Sequence, residues 1–497
     1  MESYRPQIIA ACVGAYFLLC IVVGLWAMRR TQSSKDFFMA GRDLGIFVTS
    51  IAIFSSTMSG FGFVGGPGLV YRMGISSLWI VISTTIGYSI SFFLLGNKLR
   101  KWAVTCDSLS LPDVVMARYN SRLAGMLTAV AIVLGVMGYL ATQIAAMATV
   151  MQSLAGGLTS FGEIPIVYCA LFSTALLVFY CVTGGIIASV YTDLVQGIIM
   201  MVAAVMVFLA AIWQFSGGMA EISEVLMRDD PASMSPWGTR GMIGCLSWYF
   251  IFALGGAGQP HVITKMMMTR RAEDARWTLP ASMFGYLITA LLWISLGLVM
   301  RALVVSGAHP ELASADHAAP AFLQKFAHPV LAGVVFAGLF AAIMSTADAF
   351  LNIGAAAIVH DIPLAVTGRE LRHELRWARI VTVLLGLTAM IFALYTGDMV
   401  ALLGAFGWGT FAAALVPTVA IGLNWNRATA AGACAAIVSS LVINFVIKAF
   451  GISIPLNIDP GAIALLVSIV LFVSISLLST PREPSLDAGS GNRPPVK

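Results

Sequence analysis

Two hydrophobic segments of this chain are interrupted by glycine and proline in their middle, at 55–68 (SSTMSGFGFVGGPG) and 255–260 (GGAGQP). A helix broken inside lipid leaves backbone groups that need another partner, and an ion or small ligand can be that partner. A third segment spaces Ala342, Ser345 and Thr346 at i, i+3 and i+4, so one carbonyl and two hydroxyls can share a helix face. Such oxygens can hold a hard cation. Alternatively, both hydroxyls only bond back to their own helix.

Two carboxylates, Asp193 and Asp348, lie within or at the edge of apolar segments. A carboxylate at membrane depth is costly unless it faces an ion, a cavity or a partner, so both are candidate functional residues. Asp193 could instead cap a helix, and Asp348 could pair with a polar neighbour. The six histidines are expected near interfaces or in loops, and we find no cluster of metal ligands and no nucleophile beside a base. An intramembrane enzyme is therefore not predicted.

The composition predicts a protein that crosses the membrane many times. Of its 497 residues, 59% are hydrophobic and 10% are charged, and the mean hydropathy is +0.91. Soluble domains carry about 25% charged residues. Apolar stretches long enough to cross a bilayer number about thirteen, at 7–28, 45–70, 77–97, 123–152, 161–182, 190–213, 241–262, 279–303, 329–357, 377–396, 400–422, 429–449 and 461–479.

The distribution of basic residues predicts the topology. About three quarters of the 28 lysines and arginines fall in alternate loops, which places the N-terminus outside and the C-terminus in the cytoplasm. The net charge of +5 then reflects topology, and binding to nucleic acid is not expected. We expect a multi-pass protein of the plasma membrane, in a bacterium the inner membrane. The seven cysteines lie mostly in apolar spans and predict no disulfide framework.

The positions of the breaks predict an internal repeat within one transmembrane domain at 1–480. Without the first span, the two broken spans become the first members of two groups of five. An odd number of helices per group inverts the second group relative to the first, giving repeats at roughly 45–213 and 241–422 with one leading and two trailing helices. Two six-helix halves would need an N-terminus inside, which the charges disfavour. The tail at 481–497 is rich in Pro, Gly and Ser and is predicted to be disordered in the cytoplasm.

Six motifs, in this order along the chain, resemble those of the sodium/solute symporter family. They are FFMAGRDLG at 37–45, SSTMSGFGFVGGPGLVYRMG at 55–74, SLSLPDVVMARY at 108–119, GGIIASVYTDLVQG at 184–197, GQPHVITKMM at 258–267 and AAIMSTADAFLN at 341–352. The resemblance implies an all-α polytopic protein with a LeuT-type five-plus-five inverted-repeat core. It also implies sodium-coupled uptake of a small solute by alternating access, with sodium as the co-transported ion. Sodium is the only metal ion expected, and no transition metal is expected to bind.

The resemblance implies a sodium site made of backbone carbonyls and hydroxyls. Its members are Ser55, Met58, Ala342, Ser345 and Thr346. Asp193 matches the family motif that places a carboxylate near the sodium exit path. Asp348 stands three residues after Ser345, and we assign it to the same path.

The solute site is expected between the two breaks, where the N-termini of half-helices favour an anionic group. Its candidate residues are Thr57, Ser59, Phe61, Tyr139, Gln143, Phe252, Gly256 and Gln259. The motifs resemble those of proline-type, pantothenate-type and monocarboxylate-type members. The expected solute is therefore an amino acid such as proline, or a monocarboxylate- or pantothenate-like acid. The proline-type pattern has an Asp where this chain has Thr57, so a fixed negative charge is missing here.

Some alternatives stay open at this point. A proton could replace sodium as the coupling ion, with Asp193 or Asp348 as the titrating group. Any single aromatic residue could serve ordinary helix packing and not the solute. The expected partners are the solute and membrane lipid. The sequence predicts no nucleic acid and no obligatory protein partner.

Overall fold

The structure, a computed structural model, describes residues 4–28, 38–39, 44–158, 164–397, 399–481 and 483. Apart from one isolated β-bridge, the regular elements of these residues are helices. Every span predicted from the sequence overlaps at least one helix. The predicted loop before the second span and the predicted disordered tail lie almost wholly outside the described residues.

The first half of the chain forms the helices that contain the first break. They are α1 (Arg5–Met28), α2 (Ile46–Thr57), α3 (Gly66–Met73), α4 (Trp79–Ser91), α5 (Asn97–Thr105), α6 (Leu111–Tyr119), α7 (Arg122–Leu158), α8 (Ile166–Ile212) and α9 (Gly218–Asp229). The second half contains the second break. Its helices are α10 (Gly241–Gly255), α11 (Pro260–Met267), α12 (Ala275–Val305), α13 (Ala318–Lys325), α14 (Pro329–Ala356), α15 (Ile362–Thr367), α16 (Glu374–Thr396), α17 (Val400–Leu415), α18 (Ala430–Ala449) and α19 (Pro460–Leu478).

The number of membrane spans differs from the predicted thirteen when only long helices are counted. Among the described residues, eleven helices are long and apolar enough to cross a membrane, and two apolar helices, Ile46–Thr57 and Ile166–Phe179, are shorter. The predicted loop between the spans at 161–182 and 190–213 is wrong, because α8 is helical across it for 47 residues. The linking sequence has no proline and no charged run to stop the helical hydrogen bonds.

The first break lies at Met58 and Ser59, inside the predicted interval. α2 ends because Met58 takes φ −82° and ψ 77°. Its N–H still donates to the carbonyl of Phe54 at 2.8 Å, and the N–H of Ser59 turns to the carbonyl of Thr57 at 3.0 Å. The chain then continues through a π-helical segment, Phe61–Gly65, into α3. Since π-helical turns widen the backbone, this segment adds to the irregular stretch.

The second break lies within 255–260, as predicted from the sequence. α10 ends at Gly255, a single 3₁₀ turn covers Gly256–Gly258, and Gln259 is extended with φ −80° and ψ 110°. Pro260 then starts α11, where its missing N–H costs no helical hydrogen bond. Both broken spans therefore consist of two helices joined by backbone with irregular hydrogen bonding.

The two broken spans are joined at one end by main-chain hydrogen bonds. Leu44, just before α2, donates its N–H to the carbonyl of Met268 at 3.2 Å, and Arg270 donates to the carbonyl of Leu44 at 3.0 Å. These bonds form a short parallel bridge after α11. The start of one broken span is thus fixed to the end of the other.

α14 lies at the centre of the molecule. It packs against α1, α7, α8 and α16, and most of its residues are buried. A helix surrounded by protein must satisfy its polar side chains within the protein, because neither water nor lipid can do so. Ser345, Thr346 and Asp348 of α14 are all at most 1% exposed.

Gly87 of α4 and Gly256 allow two backbones to touch. A Cβ added at Gly87 would lie 2.8 Å from the carbonyl oxygen of Phe252, and one added at Gly256 would lie 3.1 Å from the Cα of Gly87. Gly256, a candidate solute residue, therefore packs against α4 in the structure.

Gly87→Ala is expected to destabilise the protein. The new methyl group would meet a backbone carbonyl that cannot move aside, and overpacking of this kind costs about 1–3 kcal/mol. Gly14→Ala is the matched control, because a Cβ there would meet nothing within 4 Å. Thermal unfolding in detergent should show a lower midpoint for Gly87→Ala only. Equal midpoints for the two variants would contradict the close contact.

Candidate functional site

Two hydroxyl groups of α14 reach the end of the broken helix α2. Ser345 Oγ donates to the carbonyl oxygen of Ser55 at 2.9 Å, and Thr346 Oγ1 donates to that of Ser56 at 2.8 Å. Both hydroxyls also lie near the carbonyl of Ala342, at 3.1 Å and 3.2 Å. The alternative in which they bond only to their own helix is therefore wrong.

Five oxygen atoms converge here, from three carbonyls and two hydroxyls, and all five residues are 0% exposed. A hydroxyl has one proton, so each can donate to only one of its two carbonyls at a time. This cluster therefore contains more hydrogen-bond acceptors than donors. Oxygen ligands in such excess suit a hard monovalent cation that has lost its hydration shell.

The carbonyl of Ser56 was not among the predicted sodium ligands. Ser345 and Thr346 are consecutive residues, and they meet the consecutive carbonyls of Ser55 and Ser56. The adjacency of Ser345 and Thr346 in the sequence could have predicted that two consecutive carbonyls face them. Met58, which was predicted, lies at the break and is 1% exposed.

Asp193 of α8 forms a buried ion pair with Lys265 of α11. The distance from Lys265 Nζ to Asp193 Oδ2 is 2.8 Å, and the two side chains are 2% and 0% exposed. Nζ also donates to the carbonyl of Ala52 in α2 at 2.7 Å. Lys265 thus belongs to α11 and is buried. A buried carboxylate needs a counter-charge, which α11 supplies.

Asp348 of α14 has one paired and one unpaired oxygen. Its Oδ1 accepts the hydroxyl hydrogen of Ser189 at 2.9 Å. Its Oδ2 is buried without a hydrogen-bond partner among the described residues. Asp348 and Asp193 also interact electrostatically, so the two carboxylates lie in the same buried part of the molecule.

Gln143 of α7 binds the backbone of the first break. Its Oε1 accepts the N–H of Gly60 at 2.8 Å. Beside it, the hydroxyls of Ser59 and Tyr139 are 3.5 Å apart, and Ser59 Oγ accepts the N–H of Phe61 at 3.1 Å. The structure thus brings together four of the predicted solute residues. The remaining one from this break, Thr57, bonds back to the carbonyl of Ile53 at 2.9 Å.

Aromatic rings connect the two breaks. Phe61 stacks on Phe252 with ring centroids 6.0 Å apart, and Phe252 lies 5.1 Å from Trp408. On the other side, Tyr139 lies 4.6 Å from Phe350. These rings provide apolar walls around the polar backbone of the breaks.

Gln259 and His261 flank the second break inside this aromatic wall. Gln259 Nε2 donates to the carbonyls of Gly255 at 3.0 Å and Trp408 at 3.2 Å, whereas its Oε1 has no partner among the described residues. His261 is 0% exposed, its ring lies 4.8 Å from that of Phe350, and neither ring nitrogen is hydrogen-bonded to a described residue. The side chain of His261 is therefore buried in the protein core beside the second break.

A small cavity lies next to His261 and Lys265 and extends towards Ser110 and Asp361 near α6. Its volume of about 30 Å³ can hold about one or two water molecules and is too small for an organic solute.

The segment before α13 contacts both α17 and α3. Asp316 Oδ2 accepts the N–H of Val400 at 3.0 Å and so caps α17. Burial raises the pKa of Asp316 to about 6, although the N–H of Val400 acts to lower it. A Cβ added at Gly68 in α3 would lie 2.9 Å from the carbonyl oxygen of Ala315. This segment therefore packs directly on the second half of the first broken span.

Comparisons with known proteins identify relatives along most of the chain. A sequence profile described as the sodium:solute symporter family matches residues 37–439. The chain is 27% identical over 435 residues to the osmoregulated proline transporter OpuE of Bacillus subtilis (strain 168), which covers 86% of each protein. It is 27% identical over 448 residues to the sodium/proline symporter of Staphylococcus aureus (strain JH9), covering 87% of this chain and 84% of that protein. These relatives are transporters, so the expectation that the chain is not an enzyme is confirmed.

Solved structures show the same fold. A Na⁺-coupled sialic acid symporter in a substrate-bound outward-open state matches with a TM-score of 0.76 at 19% identity, over 96% of this chain and 99% of that one. MhsT in complex with L-phenylalanine matches with a TM-score of 0.52 at 12% identity, over 88% and 98%. The predicted all-α LeuT-type fold is therefore confirmed, whereas the count of thirteen spans is not.

Lys265→Ala is expected to destabilise the protein strongly. It leaves the carboxylate of Asp193 buried without its counter-charge, and breaking a buried pair in this way costs about 3–5 kcal/mol. Thermal unfolding in detergent should show a large fall in the midpoint.

Asp193→Asn combined with Lys265→Met should recover much of this loss, because no charge is then buried. Arg228→Ala is the control, since its pair with Glu224 is 80% and 68% exposed and such pairs contribute at most about 1 kcal/mol. If Lys265→Ala unfolds at the same temperature as Arg228→Ala, the buried pair is not important for stability.

Proposed function

This chain belongs to the sodium:solute symporter family, and we propose that it uses the sodium gradient to import a small organic solute by alternating access. Sodium is the co-transported ion of the family. The observation that supports the proposal best is the convergence of five buried oxygens between the broken helix α2 and α14. We place the protein in the plasma membrane, which in bacteria is the inner membrane. Its N-terminus lies outside in this proposal. The repeats remain those at 45–213 and 241–422 within the domain at 1–480.

The proposed sodium site consists of the predicted residues and one addition. They are Ser55, Met58, Ala342, Ser345 and Thr346, together with the carbonyl of Ser56. A bound sodium ion would be coordinated by the hydroxyl oxygens and the carbonyl oxygens together. These contacts would replace the hydrogen bonds that now join the two hydroxyls to the carbonyls. The ion then holds the end of α2 against α14.

This arrangement couples the ion to the solute. The N–H of Gly60, bonded to Gln143, lies only five residues after Ser55, so an ion that steadies α2 also steadies the backbone facing the solute. Each ligand then raises the affinity of the other, as linkage requires. The membrane potential adds about 2.3 kcal/mol per charge per 100 mV to inward movement of the ion.

Asp193 and Asp348 are proposed to form the sodium path. Lys265 neutralises Asp193 while the path is closed, as the 2.8 Å ion pair supports. When α11 moves, the carboxylate would be free to receive the departing ion. The unpaired Oδ2 of Asp348 also fits proton coupling, because a protonated carboxyl group can be buried at lower cost, and this remains the second candidate.

The proposed solute is an amino acid such as proline, or a monocarboxylate- or pantothenate-like acid. Its site would comprise Thr57, Ser59, Phe61, Tyr139, Gln143, Phe252, Gly256 and Gln259. None of these side chains has a full charge. A solute with a single carboxylate would be received by backbone amides and by the neutral amide and hydroxyl groups. The names of the two proline-transporting relatives favour proline among the amino acids.

Uptake into proteoliposomes tests the function. Labelled proline, pantothenate and a short monocarboxylate should be offered under an inward sodium gradient, under an inward proton gradient, and under neither. We expect at least one solute to accumulate with sodium only. Accumulation under the proton gradient alone would favour the second candidate, and the absence of any sodium-dependent uptake would refute the proposal.

Ser345→Ala and Thr346→Ala should each raise the sodium concentration for half-maximal uptake by roughly tenfold, which corresponds to the loss of about 1.4 kcal/mol. Thr388→Ala is the control, because Thr388 has a similar back-bonded hydroxyl on the exposed face of α16. Initial rates at varied sodium concentration measure the effect. An unchanged sodium requirement in both α14 variants would remove these hydroxyls from the site.

A further inference from the structure

Four ionisable side chains cluster on the side of the molecule that we propose to be cytoplasmic. Asp113 belongs to α6, His360 and Asp361 belong to the π-helical turn Ala357–Asp361 after α14, and Glu374 opens α16. His360, Asp361 and Glu374 are at most 8% exposed, and the side chain of Asp113 is 12% exposed. None of these residues belongs to the proposed sodium or solute site.

The imidazole of His360 lies between two carboxylates. Its Nε2 is 3.1 Å from Asp113 Oδ2, and its Nδ1 is 2.7 Å from Glu374 Oε1. On the far side, Ser110 Oγ donates to Asp361 Oδ1 at 2.5 Å. Both nitrogens can donate together only in the imidazolium form.

Among the described residues, the charges of this cluster do not balance. Three carboxylates face one imidazolium, which leaves a net charge of −2 when all are ionised. No lysine or arginine of the described chain forms an ion pair with any of the three. In addition, Asp113 Oδ1 is buried with no hydrogen-bond partner among the described residues. A buried excess of negative charge is costly. A divalent cation that replaces the imidazolium proton would lower the net charge of the cluster from −2 to −1.

The geometry of three of these groups fits a metal ion. One ligand atom each from Asp113, His360 and Asp361 can be chosen so that all lie within 4.8 Å of one another. The 3.1 Å separation of Nε2 and Oδ2 is close to the roughly 3.3 Å expected between ligands of a tetrahedral ion with bonds of about 2.0 Å. Glu374 on Nδ1 supplies the outer carboxylate that commonly orients a metal-binding histidine.

We propose that Asp113, His360 and Asp361 bind a divalent transition-metal ion such as Zn²⁺ or Mn²⁺, with Glu374 as the residue that positions the imidazole. The ion takes the place of the proton on Nε2, and the proton leaves to solvent. An imidazole ligand favours these metals over Mg²⁺ and Ca²⁺. The proposal revises the expectation that sodium is the only metal.

The metal would link three elements that are distant in sequence. Asp113 and His360 are 247 positions apart. The ion therefore fastens α6 to the end of α14 and the start of α16. Because Ser110 and Asp361 also line the small cavity beside His261, the metal would stabilise the wall of that cavity.

Metal titration of the purified full-length protein tests the site. After treatment with a chelator, ZnCl₂ and MnCl₂ should be titrated by calorimetry and by thermal unfolding, with MgCl₂ in parallel. We expect saturation at one transition-metal ion per chain at this site and a midpoint that rises with metal concentration. MgCl₂ should have no such effect.

Two variants and a control assign the binding to these residues. His360→Gln should abolish saturable binding, and Glu374→Gln, which leaves the three ligands in place, should weaken it by about 10–100-fold. His328→Gln is the control, because His328 is exposed. An unfolding midpoint that still rises with sodium concentration shows that a variant is folded. Absence of saturable binding, or equal binding by His360→Gln and the native protein, would overturn the proposal.

Discussion

The hydrogen bonds between the hydroxyls of Ser345 and Thr346 and the carbonyls of Ser55 and Ser56 solve the central problem of this structure. Breaking a helix in a membrane interior frees polar backbone groups that neither lipid nor water can satisfy. The hydroxyls of α14 donate hydrogen bonds to the freed carbonyls, but these two hydroxyl protons are fewer than the acceptor oxygens around them. A cluster of this kind is stable without an ion, and a cation bound to its excess oxygen atoms would stabilise it further. The position of α14 at the centre follows from the same need, since its hydroxyl face must be covered by protein.

The same constraint explains the other polar groups of the interior. Asp193 is tolerated because Lys265 lies 2.8 Å away, and Lys265 is tolerated because the carbonyl of Ala52 accepts a second of its hydrogen bonds. Gln143 is tolerated because the first break offers it the N–H of Gly60. The unsatisfied atoms are informative for this reason. They include Asp348 Oδ2 beside Ser189, and Gln259 Oε1 and both nitrogens of His261 at the second break, none of which has a hydrogen-bond partner among the described residues.

The two broken spans also act on each other. They are joined by main-chain bonds between Leu44 and the end of α11, by the contact of Lys265 with α2, and by the stacking of Phe61 on Phe252. A cation that repositions the end of α2 would therefore change the environment of α11 as well. Coupling between ion and solute needs no long pathway in such an arrangement, because one pair of broken spans contacts both proposed sites.

The sequence alone determined the apolar spans, both breaks and the hydroxyl face of α14, because each depends on composition or on spacing within one helix. It also determined the family resemblance, since motifs are local. The tertiary structure decided which groups meet: Ser56 with Thr346, Lys265 with Asp193, and Asp113 with His360. It also showed that helical backbone continues through the link at 183–190. The reason is that a partner 72 or 247 positions away leaves no mark on local spacing, whereas the cost of an unpaired buried group is only met once the chain has folded.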